Sequence, residues 1–199
     1  MPNSTKTSKG LQGKDLITVG IYTAIYLVIT VVISRLNFIP IFMLLLAILV
    51  PVIGGTPYML FLTKVKKFGM ILIMSTIMGL IMFLTGMGYW TILTGVIAGL
   101  LAELAVKAGN YASAGKSVLS SGLFSLWVFG NFIPMVVTRN SYYESLISLY
   151  SQEYADTLMR YMPAWMLPVL LIACFVSGIA GGLIGKALVK KHFQRAGIN

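Results

Sequence analysis

The sequence predicts an all-α polytopic membrane protein with six transmembrane helices, both termini cytoplasmic, and a short amphipathic outer helix between spans five and six. Three observations predict it. Of 199 residues, 58% are hydrophobic and only 10% charged, with a mean hydropathy of +0.90, more apolar surface than one soluble domain of this size buries. Charge-poor tracts at 16–34, 36–63, 68–102, 117–138 and 161–185 are each long enough to cross a hydrocarbon core, which takes roughly 20 apolar residues. Third, the basic residues fall almost entirely on one side of the resulting topology.

Taken in order, residues 1–14 form a polar cytoplasmic tail containing Lys6, Lys9 and Lys14. The apolar segment after it lacks a small-residue cleavage site and reads as a retained first span. The membrane domain then runs over 15–191, with spans near 15–35, 38–62, 68–85, 89–108, 116–138 and 163–190, and a basic tail over 192–199. The 68–102 tract is 35 residues long and carries the breaker Gly86-Met87-Gly88, so it divides into a hairpin of spans three and four. Span two contains Pro51, Gly54, Gly55 and Pro57, which predicts a kink or a locally unwound half.

Six spans place twelve basic residues, at 6, 9, 14, 64, 66, 67, 107, 116, 186, 190, 191 and 195, on one side and only Arg35, Arg139 and Arg160 on the other. That bias assigns the first side to the cytoplasm. The net charge of +10 therefore reports orientation in a lipid bilayer, and no nucleic-acid partner is expected.

Gly95, Gly99 and Glu103 recur every four residues along span four, as Gly178, Gly182 and Lys186 do along span six. In lipid such small residues let helix backbones approach closely, within this chain or against a partner. Gly20 and Ala24 make a similar pair on span one, open to internal packing or to docking of another membrane protein.

Residues 139–162 form the long outer connection. Ser141 and Glu144 have capping-box spacing, and Tyr143, Ile147, Tyr150, Tyr154 and Tyr161 fall near one helical face, so the segment either lies in the headgroup region or covers a cavity. Trp127 and Asn131 lie one turn apart in span five, Asn131 about seven residues, or roughly 10 Å, below the outer end. With Asn37, Trp90, Arg139, Tyr143 and Trp165 at the same level, they outline an outward-facing, aromatic-walled binding pocket for a small molecule.

Enzyme chemistry fits poorly, and no catalytic residue, metal ligand or cofactor is assigned. The one His, His192, lies in the tail, the one Cys, Cys174, lies in an apolar span, and the twelve Met residues are spread over apolar faces. The run Gly109-Asn-Tyr-Ala-Ser-Ala-Gly-Lys-Ser117 resembles a phosphate loop one residue out of register and follows no strand. Glu103 is an intramembrane ionisable group, expected to pair with Lys107 four residues on or to meet a partner protein rather than to relay protons.

Six short spans, Gly20-x-x-x-Ala24 and the outer aromatic pocket resemble the substrate-binding S component of energy-coupling factor transporters. More closely, GKDLITVGIYTAIY from Gly13, GYWTILTGVIAGLLAEL from Gly88, GNYAS from Gly109 and NFIPMVVTRNSYY from Asn131 look like the Trep_Strep group of membrane proteins. The resemblance implies a subunit that captures a vitamin-like micronutrient outside and releases it inside, driven by a transmembrane coupling subunit and two ABC-type ATPases. It also implies docking of the coupling subunit at Gly20 and Ala24, although Gly20 departs from the Ala-x-x-x-Ala form. Metal-uptake members carry a His beside the N-terminus, and Met1-Pro2-Asn3 does not fit them. The alternative is a stand-alone ion-coupled secondary transporter, for which internal inverted repeats would be expected and none is evident.

Overall fold

A computed structural model describes residues 10–195, with burial through Lys190. Lys6 and Lys9 of the expected tail, and the side chains of Lys191, His192 and Arg195, lie outside the described residues. The long helices are α1 (Gly13–Ser34), α2 (Pro40–Leu62), α3 (Met70–Met82), α4 (Trp90–Lys107), α5 (Ala114–Ser125) and, after three shorter ones, α9 (Met166–Arg195). The shorter helices are α6 (Pro134–Val137), α7 (Arg139–Leu149) and α8 (Gln152–Tyr161). Among the described residues six stretches are long and apolar enough to cross a membrane: Gly13–Phe38, Pro40–Leu62, Met70–Met87, Trp90–Lys107, Ala114–Val137 and Met166–Lys190.

The spans close into a ring. α1 packs on α2, α2 on α9, α9 on α5, α5 on α4, α4 on α3, and α3 returns to α1. Glycines permit the closest crossings. A Cβ on Gly55 would lie 2.2 Å from the Gly181 carbonyl carbon, and one on Gly181 would lie 2.4 Å from Pro51 O, so α2 and α9 touch backbone to backbone. Gly95 and Gly99 face Ser75 of α3, and Gly178 and Gly182 face Ser121 and Ser125 of α5, so both small-residue seams pack inside the chain.

Interhelical hydrogen bonds complete the ring: Ser75 Oγ donates to Gly95 O at 2.7 Å, Thr91 Oγ1 to Gly79 O at 2.9 Å, and Ser120 Oγ to Ala102 O at 2.9 Å. Span two differs from the unwound half that its prolines allow, because α2 stays helical from Pro40 to Leu62. Pro51 has no N–H for the carbonyl four residues back, Ala47 O. Ser177 of α9 stands in, its Oγ 3.1 Å from Ala47 O, while its proton is also within reach of Ala173 O at 2.5 Å.

Helix α3 continues into a wider π-type turn over Phe83–Met87, and the hairpin reverses at Gly86 (φ 91°) and Gly88 (φ 83°). Both angles lie in the left-handed region that glycine occupies without a Cβ penalty. Span five is not one α-helix. After Ser125 it tightens into a 3-10 stretch over Leu126–Asn131, where Gly130 packs against the α4 backbone at Trp90 and Thr91. The expected single outer helix is two, α7 and α8, broken at Tyr150 and Ser151. The expected capping box at Ser141 is also absent, since α7 already starts at Arg139, and Ser151 instead caps α8 by accepting from Tyr154 N–H.

Candidate functional site

The cavity of interest lies between α1, α2, the α3 end and the 3-10 part of span five, near the end of the bundle opposite the lysine clusters. It has about 80 Å³ of room for a water-sized occupant. Three of the expected residues, Asn37, Trp127 and Asn131, line it. Trp127 is fully buried, held edge-on to Tyr26 at 6.2 Å between ring centroids, and its Nε1–H has no acceptor within hydrogen-bonding geometry among the described residues. Asn131 spends an amide proton on Val128 O at 2.9 Å, inside its own 3-10 turn, rather than on a partner from another span. Between Asn131 and the outer end of span five lie a turn at Phe132 and Ile133 and the four-residue α6, so the continuous α-helix on which its expected depth was based is not there.

Sequence reading missed the rest of the lining. Thr30 and Ser34 follow Tyr26 at four-residue spacing on one face of α1, a polar register visible in the sequence once that face is known to point inward. Their hydroxyls donate to Tyr26 O at 2.9 Å and Val31 O at 2.8 Å, leaving them as acceptors toward the cavity. Met43, Met82, Met87 and Met135 supply much of the remaining wall. Among the described residues no charged one lines the cavity.

Four expected pocket residues sit elsewhere. Arg139 is a structural clamp: its guanidinium donates to Met162 O at 2.6 Å and Met159 O at 2.7 Å, holding carbonyls at the C-terminal end of α8 where a cation is favoured. Tyr143 donates to Asp156 Oδ1 at 2.5 Å, joining α7 to α8, and that bond raises its pKa above the usual tyrosine value. Trp165 is exposed. Trp90 stacks on Tyr89 at 4.9 Å and lines a separate cavity with Tyr142, Pro134 and Ser141, which shares only Met87 with the first.

Helix α8 packs against two residues that line the Trp127 cavity. Tyr154 donates to Asn37 O at 2.5 Å and touches Met43 Sδ at 3.4 Å, both cavity residues, and stacks on Tyr150 at 4.4 Å. Tyr150 in turn meets Phe38 edge-on at 6.1 Å. Burial first, then the neighbouring Tyr150, push the Tyr154 hydroxyl up to about 12, so it stays a donor at neutral pH.

At the lysine-bearing end Glu103 departs from the expected pair with Lys107. Its Oε2 accepts from Ile71 N–H at 2.8 Å and Leu72 N–H at 3.3 Å, and Tyr111 donates to Oε1 at 3.3 Å. Helix α3 begins after Gly69, which has no side chain to cap it, so a carboxylate from α4 satisfies its free donors. Lys107 instead lies over the Phe68 ring, 4.9 Å from its centroid. The expected docking pair, Gly20 and Ala24, faces outward, and a Cβ on Gly20 would meet nothing within 4 Å.

Six apolar spans closed in a ring, with a small cavity among four of them, define a polytopic helical membrane protein. The chain belongs to the Trep_Strep family of hypothetical bacterial integral membrane proteins, whose model matches residues 13–195, and this supports a location in a bacterial membrane. No curated protein and no solved structure matches it.

Proposed function

We propose that the chain is the substrate-capture subunit of an energy-coupling factor importer, oriented with both termini in the cytoplasm. The observation that carries this reading is the uncharged cavity whose lining residues Asn37 and Met43 are held by Tyr154. Its aromatic and thioether walls with acceptor oxygens from Thr30 and Ser34 suit a small, flat, largely uncharged organic nutrient, and the reassignment of Arg139 removes the cation that a carboxylate would need. At about 80 Å³ the cavity is small, and a vitamin-sized ligand fits only if the flexible methionines of its wall move.

The protein would catalyse no reaction itself. Gly20 and Ala24, outward with Ile17, Ile21 and Ile25, would receive a transmembrane coupling subunit, and two ABC-type ATPases would supply the work. The ion-coupled alternative relies on Glu103, whose carboxylate is occupied by the α3 N-terminus.

Affinity purification of the chain from its native membrane, with mass spectrometry of both proteins and small molecules, tests the reading. The expected outcome is a coupling subunit, two ATPases and one small organic ligand. Ala24→Trp should strip the proteins and keep the ligand, and Asn131→Ala should weaken the ligand and keep the proteins. Unaided transport by the purified chain under an ion gradient would overturn the proposal.

A further inference from the structure

A further hollow lies at the end of the bundle away from the lysine clusters, between the α3–α4 hairpin and α7. It has about 170 Å³ of room for a water-sized occupant, about twice that of the Trp127 cavity, and opens to the surface where Tyr89, Ser141 and Ser145 are exposed. The hairpin leaves this space unfilled. Gly86 and Gly88 line it without side chains; a Cβ on Gly88 would still lie 3.8 Å from Pro134 Cγ, and one on Gly86 would meet nothing within 4 Å. Tyr89 and Trp90 follow at once, their rings stacked at 4.9 Å, and give the hollow an aromatic side.

Its α7 side is built of hydroxyls. Ser141, Tyr142 and Ser145 fall within roughly 100° of one another at 3.6 residues per turn, and Thr138, the residue before α7, lines the hollow with them. Thr138 Oγ1 donates to Pro134 O at 3.2 Å and Ser145 Oγ to Ser141 O at 2.9 Å, so both oxygens keep lone pairs for a guest. The Ser141 and Tyr142 hydroxyls have no hydrogen-bond partner among the described residues and keep their protons as well. Among the described residues no charged one lines the hollow, and Arg139, next to Thr138, is turned to the α8 carbonyls.

These features select a guest. An ion would find no counter-charge, and an apolar molecule would strip water from the four hydroxyl groups without replacing its hydrogen bonds. A neutral sugar ring meets both sides: its C–H face packs on the electron-rich aromatic faces, and its hydroxyls exchange hydrogen bonds with those of α7. We propose that the hollow between Tyr89, Trp90 and the hydroxyl face of α7 binds one neutral monosaccharide ring, free or as the headgroup of a glycolipid in the adjacent leaflet. The hollow and the Trp127 cavity share only Met87, so the site is independent of the substrate-capture reading, which stands whether or not a sugar binds here.

Saturation-transfer NMR on the full chain, held in an amine-oxide detergent without a sugar headgroup, tests the free form. The probes are the methyl glycosides of glucose, galactose and mannose, and at least one should give a saturable response. Ser141→Ala and Ser145→Ala should each weaken it about fivefold, and together about 25-fold, as expected for one neutral hydrogen bond each. Both serines are exposed, so alanine leaves the packing of α7 alone, and Ser145→Phe, which fills the hollow, should abolish the response. Asn140→Ala, on α7 and outside the hollow, should change nothing. Native mass spectrometry with monoglucosyl diacylglycerol and phosphatidylcholine of identical acyl chains tests the headgroup form.

A preference for the glucolipid that falls in Ser141→Ala, without any glycoside response, assigns the site to a lipid headgroup. A serine-dependent glycoside response assigns it to a free sugar. No response to any glycoside together with equal retention of the two lipids overturns the proposal, as does binding that both alanine variants leave unchanged. Phenol binding as tightly as the glycosides would overturn it in favour of an aromatic guest.

Discussion

Replacing Glu103 with alanine separates the two roles that this residue can hold. In the structure it accepts one good hydrogen bond from Ile71 N–H at 2.8 Å, a longer one from Leu72 N–H at 3.3 Å and one from Tyr111 at 3.3 Å. Bonds to a charged acceptor contribute about 1.5–3 kcal/mol each when well formed, and only the first is short, so the loss should be about 3 kcal/mol. For a chain of this length that corresponds to roughly 6–12 °C in Tm.

Glu103→Gln keeps one acceptor oxygen for α3 and should cost about 1 kcal/mol. Lys107→Gln loses only its contact with Phe68 and should cost no more than about 1 kcal/mol. Thermal unfolding of the three variants in one detergent, followed by intrinsic tryptophan fluorescence, gives the order. If Lys107→Gln matched Glu103→Ala, the carboxylate would be acting through Lys107 and the capping argument would be wrong.

The remaining predictions concern packing and the α8 segment. Gly181→Ala places a methyl against Pro51 O and should abolish folded protein on size exclusion, whereas Gly20→Ala, with open space around it, should leave the isolated chain's Tm unchanged. Ser177→Ala removes the donor near Ala47 O and should cost about 1–2 kcal/mol, readable by denaturant titration; no loss would mean that Ser177 bonds only within α9. Arg139→Gln frees the α8 carbonyls and should raise proteolysis of the 150–162 segment several-fold above wild type. Tyr154 has a folded-state pKa raised from 10.0 to about 12. Its contribution is therefore complete below pH 10.0 and lost as pH rises through about 12, and Tyr154→Phe should remove that alkaline step from a Tm-against-pH profile.

The spans were legible because crossing a membrane imposes a length and a composition that a single sequence displays. The hairpin at Gly86 and Gly88 was legible for a local reason, the need for positive φ. Glu103 was misread because Lys107 is its neighbour along α4, whereas its real partners, the Ile71 and Leu72 amides, come from another helix and carry no side-chain signature. Arg139 and Tyr143 failed as pocket residues for a similar reason: the break at Tyr150 and Ser151 folds α8 back on α7 and uses both side chains to hold it. Trp127 and Asn131 could be placed at a cavity from the sequence because a tryptophan and an amide deep in an apolar span are unusual. Thr30 and Ser34 were missed because hydroxyls that bond their own helix are common in membrane segments.

The methionine walls have a consequence for redox exposure. Met43, Met82, Met87 and Met135 face one small space, and a thioether takes up a single oxygen to become a polar, chiral sulfoxide. Oxidation at these positions would turn a greasy chamber into a wet one while the glycine-packed ring of helices held its shape. On the substrate-capture reading proposed above, a cell under oxidative stress would then keep the protein and lose its capacity to hold an apolar guest, with repair resting on methionine sulfoxide reduction.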